Sequence, residues 1–201
     1  ESFRKLKVFD YFLNDFGSEL APMSSHAPAA KPHSPSDFSV VRAAVRNQGD
    51  RGFLFVNNYV RGYSMPERKR VQFRIQLPHS TIVLPDEPVA VPSGAYFIWP
   101  FNLNVGAATL RYSTAQLFTR LDSAQGMTWF FEEVPAIAPV FALAETPGLS
   151  IVAPGAVVNR SGGIVTVSHI PSGLGHAITL RPSSGPEVKL VLLTQREAEN
   201  S

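Results

Sequence analysis

The chain of 201 residues contains no cysteine, so neither a disulfide framework nor thiolate chemistry can stabilise it or supply a nucleophile. That absence is equally compatible with the cytosol, the periplasm and a bacterial exterior. Charge is sparse and balanced: 18 Lys and Arg stand against 16 Asp and Glu, and charged residues make up 17% of the chain. The net charge of +2 is too weak a field to single out nucleic acid or an anionic membrane as a partner. No stretch approaches the ~20 uninterrupted apolar residues of a membrane-spanning helix. Catalytic signatures are missing too, with no GxSxG elbow, P-loop or GxGxxG. The five histidines, His26, His33, His79, His169 and His176, show no HxxxH, HExxH or HxH spacing, so no metal and no other cofactor is expected. The opening Glu1-Ser2-Phe3-Arg4-Lys5 has neither an initiator Met nor the apolar region of a signal peptide, and reads as the start of a piece of something longer.

What is present is apolar and heavily punctuated. Hydrophobic residues reach 44%, with 17 prolines and 14 glycines, a balance that favours short strands joined by turns. A chain of this length can bury ~70% of its extended surface, enough for a sizeable core. Leu6, Phe9, Leu13 and Phe16 fall at helical spacing and predict one amphipathic helix over Phe3–Phe16, within residues 1–20, with Gly17 as its stop. Arg4, Lys5 and Lys7 give that helix a basic first turn, the wrong sign for a helix N-terminus, which suggests a start further upstream. Pro22, Pro28, Pro32 and Pro35 make 21–37 an extended Pro-rich linker.

From residue 38 to 193 the period changes to two. Phe38–Arg46 and Gly52–Tyr59 flank a Gly-containing turn and predict a β-hairpin. Val71, Phe73, Ile75 and Leu77 alternate with Gln72, Arg74 and Gln76 as a strand with one wet face. Further strands are expected near 95–99, 108–116, 127–134, 139–143, 163–168, 176–181 and 187–193. About ten short strands of this kind predict a mainly β fold, an antiparallel β-sandwich with one N-terminal helix. Thr146-Pro147-Gly148 is a candidate boundary, but 149–193 is read as the remaining strands of the same sandwich. Residues 194–201 have the makings of a cut helix, with Thr194 as N-cap.

Two runs stand out, Gly52-Phe53-Leu54-Phe55-Val56-Asn57-Asn58-Tyr59-Val60-Arg61 and Ser93-Gly94-Ala95-Tyr96-Phe97-Ile98-Trp99-Pro100-Phe101-Asn102-Leu103. Such density of aromatics indicates core strands, and the polar residues at their ends mark where they emerge. Asn57, Asn58, Tyr59 and Arg61 are therefore candidate carbohydrate contacts, with Trp99 as a stacking ring; Tyr63, Tyr96, Tyr112 and Trp129 are weaker members of the same platform. The competing reading is core packing for the rings and Asx-type turn stabilisation for the asparagines. Glu132 and Glu133 are the only carboxylates in a strongly apolar run. Neighbours on a strand point to opposite faces, so they cannot converge on a glycosidic bond. Asn159-Arg160-Ser161 is formally a glycosylation sequon.

Taken with Asp15-Phe16-Gly17-Ser18-Glu19-Leu20-Ala21-Pro22-Met23, Met65-Pro66, Val71-Gln72-Phe73 and Leu110-Arg111-Tyr112-Ser113-Thr114-Ala115-Gln116, these two runs resemble bacterial β-galactosidases of glycoside hydrolase family 35. The likeness spans most of the chain and falls on the region C-terminal to the family's catalytic (β/α)8 barrel. It implies a parent enzyme that hydrolyses terminal β-galactosides with two barrel glutamates, neither of which maps onto this sequence. It also implies the barrel of the same parent chain as partner, a helix over 1–20 that is the tail of the barrel region, and a periplasmic or extracellular location, with the cytosol as the alternative. The resulting expectation is a non-catalytic accessory β domain. A stand-alone carbohydrate-binding module for galactoside-containing glycans is the second reading, and an autonomous hydrolase using Glu132 or Glu133 the third.

Overall fold

The computed structural model describes residues 2–201, with side chains from Leu6 onward. The basic first turn expected at Arg4 and Lys5 therefore lies outside the described side chains. The fold is mainly β, a sandwich-like arrangement of antiparallel sheets with one long N-terminal helix. That helix, α1 (Ser2–Leu20), runs through Gly17 instead of stopping there. Gly17 has open space around its Cα, and Phe16 and Leu20 on either side of it are both buried. Packing of these neighbours outweighs the ~1 kcal/mol that a helical glycine costs.

The larger sheet has the order β1 (Ser24–His26), β2 (Arg42–Gln48), β3 (Arg51–Asn57), β6 (Tyr96–Asn104), β7 (Thr109–Ser113), β10 (Phe141–Ala144), β13 (Ile164–Ser168) and β12 (Val157–Ser161). The smaller sheet runs β11 (Ser150–Val152), β14 (Ile178–Arg181), β15 (Val188–Leu193), β9 (Gly126–Glu132) and β8 (Gln116–Ser123). Within it β15 and β9 are parallel, in register from Val188 against Met127 to Leu193 against Glu132, the one departure from antiparallel pairing among these strands. Strands β4 (Arg68–Gln76) and β5 (Thr81–Val91) form a separate ribbon. Residues 149–193 contribute to both sheets, through β12 and β13 on one side and β11, β14 and β15 on the other.

Each face of the larger sheet has its own core. On one face Phe53, Ile98, Phe141 and Val165 pack with Leu117, Trp129, Phe131 and Leu190 of the smaller sheet and with Phe12, Phe16 and Leu20 of α1. On the other, Leu54, Val56, Phe97, Trp99 and Phe101 lie under the ribbon residues Val71, Ile75, Ile82 and Leu84. The larger sheet is therefore buried on both faces at its centre, which is why β3 and β6 read as continuous apolar runs. Glycine stands at position 52 in β3 because a Cβ there would lie 2.2 Å from the Arg46 carbonyl oxygen of the paired strand.

The expected linker 21–37 contains the short strand β1, paired antiparallel with the end of β2. The connector is also pinned by side chains. Arg46 donates to the carbonyls of Leu20 and Met23, and Arg42 to those of Ser34 and Pro35. Asp37 accepts from the Ser39 hydroxyl and from the amides of His33 and Ser39, which holds its carboxyl well below the usual carboxylate range. At the other end, Thr194 and Glu197 close a capping box on α2 (Gln195–Asn200), whose Ala198 packs with Val8 of α1, Phe118 and Val191.

Helix α1 is clamped to β8 by a polar set. Asp15 accepts from the Thr119 hydroxyl at 2.5 Å and the Arg120 amide at 3.0 Å, and Arg120 pairs with Glu19 at 2.7 Å. Burial pushes the Asp15 carboxyl upward, but the bonds from Thr119, the Arg120 amide and Asn14, with the Arg120 charge, outweigh it and leave the group below its ordinary value. A carboxyl depressed in the folded state contributes stability that is present above its unfolded value and lost as pH falls through the folded one. Asp15→Asn is therefore expected to flatten the acid limb of the stability profile below about pH 4. Urea midpoints for wild type and variant at pH 3 and pH 6 check this; an unchanged difference between the two pH values would count against the clamp.

Candidate functional site

Register places the polar ends of three strands side by side. Arg42 is the partner of Asn57, and Asn57 the partner of Tyr96, so a guanidinium, an amide and a phenol form one row across β2, β3 and β6. Two residues along each strand, on the same face, Ala44, Phe55 and Ile98 form an apolar row. Helix α1 covers this face only in part: Phe12 contacts the rings of Phe53 and Phe55 edge-on, and beside it the sheet stays open. The opening is a groove of about 940 Å³, floored by the apolar row and walled by Leu6 and Phe9, with Tyr59, Tyr96 and Gln116 also lining it.

The helix wall corrects the expected amphipathic pattern. The buried stripe is Val8, Phe12, Phe16 and Leu20. Leu6, Phe9 and Leu13 form a second apolar stripe on the outside, exposed by 56%, 40% and 42%. Of the four residues read at that spacing, Phe16 alone is buried. Both stripes satisfy helical spacing, so periodicity could not choose between them.

The candidate carbohydrate contacts divide into three fates. Trp99 has no exposed surface; it stacks on Phe97 at 4.3 Å beneath Phe73 of the ribbon, and a ring enclosed in this way offers no face to a sugar. Trp129 and Tyr112 are likewise buried. Asn58 is 2% exposed, and its amide nitrogen donates to the carbonyls of Pro66 (2.9 Å), Pro92 (2.8 Å) and Val91 (3.4 Å). It ties the β3 exit to the ends of two other segments and, buried as it is, offers no surface to a ligand. Asn57, Tyr59 and Arg61 are exposed. Asn57 accepts from the Tyr59 amide through its side-chain oxygen, an Asx turn that still leaves its amide nitrogen uncommitted among the bonds formed by described residues. Arg61 sits at the tip of the tight turn closed by Val60 and Tyr63, outside the groove lining.

Tyr96 presents its ring at the groove beside Tyr59. It is 48% exposed, against 54% for Tyr59. Burial of its remaining surface raises its phenol above the ordinary value, and the carboxylates of Glu132 and Glu199 push it further the same way, so the hydroxyl stays protonated and able to donate. Arg42 and Gln116 carry no local signature; Arg42 and Tyr96 meet Asn57 through strand order, and Gln116 reaches the groove from β8 of the smaller sheet.

Glu132 and Glu133 border a smaller cavity of about 150 Å³ next to the groove, between the residues before β6 and the end of β9. Strand alternation does not separate them as expected, because β9 ends at Glu132 and Glu133 lies beyond it. Glu132 accepts from the Gln116 amide at 3.1 Å, and Glu133 accepts from the Ser172 hydroxyl. Their neighbours hold them as structural acceptors at the joint between the sheets. Among the described residues there is no cluster of His, Cys, Asp and Glu able to hold a metal, and no helix long and apolar enough to cross a membrane. The chain matches no family model and no curated protein.

Proposed function

We propose that this chain is the non-catalytic, β-rich accessory region of a β-galactosidase-like glycoside hydrolase, packing on the enzyme's barrel and forming one wall of its substrate cleft. The observation that carries this reading is the outer stripe of α1. A helix that is apolar on two sides, with Leu6, Phe9 and Leu13 left in solvent, is built to lie between two bodies, and here the sandwich supplies one of them. The polar bonds of Asp15, Glu19 and Arg120 hold that stripe at a fixed height above the sheet. The sequence likeness to the region that follows the barrel names the second body.

The test is reconstitution from two separately produced pieces, this chain and the catalytic barrel of the parent enzyme. Sedimentation should show a one-to-one complex, and Leu13→Glu should weaken it by about tenfold or more, since a carboxylate must then be desolvated at the contact. Aryl β-galactoside hydrolysis should follow the barrel and be absent from this chain alone. No complex at any attainable concentration would overturn the reading. The stand-alone carbohydrate-binding module remains the second reading because Tyr59 and Tyr96 present half-exposed rings at one groove.

A further inference from the structure

The groove beside α1 has a composition that selects among ligands. Its volume of about 940 Å³ lies within the ~300–1,000 Å³ of small-molecule sites, which are mostly apolar with a few convergent polar groups. The floor is carbon, from Ala44, Phe55 and Ile98. The polar row beside it spans two inter-strand steps, about 10 Å from Arg42 to Tyr96, and the Asn57 amide and Tyr96 phenol within that row are neutral. Gln116 and the Tyr59 phenol add two more neutral groups at the margin.

Among the described residues no carboxylate lines the groove. Glu132 and Glu199 act on the Tyr96 phenol but are not part of that lining, so a cationic ligand finds no direct ion-pair partner there. The one charged residue in the described lining, Arg42, donates through Nη2 to the carbonyls of Ser34 at 3.2 Å and Pro35 at 3.0 Å, and its Nη1 is buried without a partner among the described residues. The Glu132 and Glu199 carboxylates that raise the Tyr96 phenol oppose an anion beside it. What remains is a neutral molecule with one C–H face for the Phe55, Tyr59 and Tyr96 rings and hydroxyls along its edge for the amides and phenols. A pyranoside has that division of surface.

We infer that the groove is a binding site for a neutral, unbranched glycan, held by Tyr59 and Tyr96 as ring contacts and by Asn57 and Gln116 as hydroxyl partners. The choice of a glycan over other neutral polyols rests on the glycosidase reading above. In the assembled enzyme the site borders the barrel contact, because Leu6 and Phe9 both wall the groove and belong to the outer stripe. A polysaccharide substrate is gripped at that margin, outside the catalytic centre. The contact is made by the accessory region alone.

β-1,4-Galactotetraose is the probe, titrated into the intact chain while the side-chain amides of Asn57 and Gln116 are followed by NMR. Those resonances should move with saturable binding, and Tyr96→Ala or Tyr59→Ala should weaken the affinity about tenfold while leaving the unfolding midpoint unchanged, because both rings are half exposed. Tetragalacturonate, its anionic counterpart, should bind more weakly. Unmoved resonances at about 20 mM tetraose, well above the ~1 mM scale of weak binding, or binding indifferent to both substitutions, would overturn the assignment, as would tighter binding of the galacturonate. Loss of the glycan with retained barrel docking sinks this inference alone. Glycan binding without any docking leaves the groove assigned and sinks the accessory reading.

Discussion

Phe16→Ala is expected to lower the stability of the protein by about 4 kcal/mol, the usual cost of emptying a buried phenylalanine site. The ring has no exposed surface. It stacks on Trp129 of the smaller sheet at 5.8 Å, leans on Phe12 at 5.2 Å and approaches Phe53 of the larger sheet at 6.1 Å. The Arg120 guanidinium lies over it at 4.9 Å and over Trp129 at 5.3 Å. Removing the ring opens a cavity where the helix and both sheets meet, and it withdraws one of the two aromatic faces beneath the cation that pairs with Glu19. Against a total of ~5–15 kcal/mol for a domain, such a loss should bring the thermal midpoint down by about 8–16 °C. Phe16→Leu should cost less than half as much, because most of the volume is kept. Calorimetry on the three proteins decides it. A Phe16→Ala loss under about 1 kcal/mol would mean that α1 is an appendage, and its outer stripe would no longer be a surface held in place for a partner.

The same helix shows how far the sequence could be read. Its existence followed from spacing, but its orientation did not. Leu6, Phe9 and Leu13 are as regular as Val8, Phe12 and Phe16, and only the position of Phe53 and Trp129 in space decides which stripe is buried. The β2–β3 hairpin was legible because its turn is local, and the mainly β fold because alternation and turn residues agree along most of the chain. The parallel pairing of β9 with β15 was not, since it joins residues far apart in sequence with no turn to announce it.

For the site, Asn57 and Tyr59 were readable as strand ends that leave the core, and they do line the groove. Trp99 could not be told from a surface ring, because its burial depends on the β4–β5 ribbon folding over the sheet. A tryptophan in an alternating strand has two faces to choose from, and the ribbon chooses. Arg42 and Tyr96 join Asn57 only when the strand order β2, β3, β6 is known, so the row they form has no trace in any one segment.

Asn58 supports the second large effect. Its side-chain nitrogen serves the carbonyls of Pro66, Val91 and Pro92, while its backbone bonds Ala95 and Gly94. Asn58→Ala leaves those side-chain acceptors buried without a donor and should cost about 2–3 kcal/mol. Asn58→Asp keeps the shape but faces carbonyl oxygens with a carboxyl, which can donate only while protonated. The introduced group should therefore have a raised value in the folded protein. A raised folded-state value gives stability that is fully present below the unfolded value, near pH 4, and lost as pH rises through the folded one. Urea midpoints should show Asn58→Asp close to wild type at pH 4 and below Asn58→Ala at pH 7; equal penalties at both pH values would show that the carbonyls are not its partners. The consequence reaches the groove, since Tyr59 follows directly from this knot and Tyr96 follows Ala95, whose carbonyl accepts from the Asn58 amide. Loosening Asn58 should broaden the NMR resonances of both tyrosine rings before the sandwich unfolds, because both rings flank the polar knot that it ties.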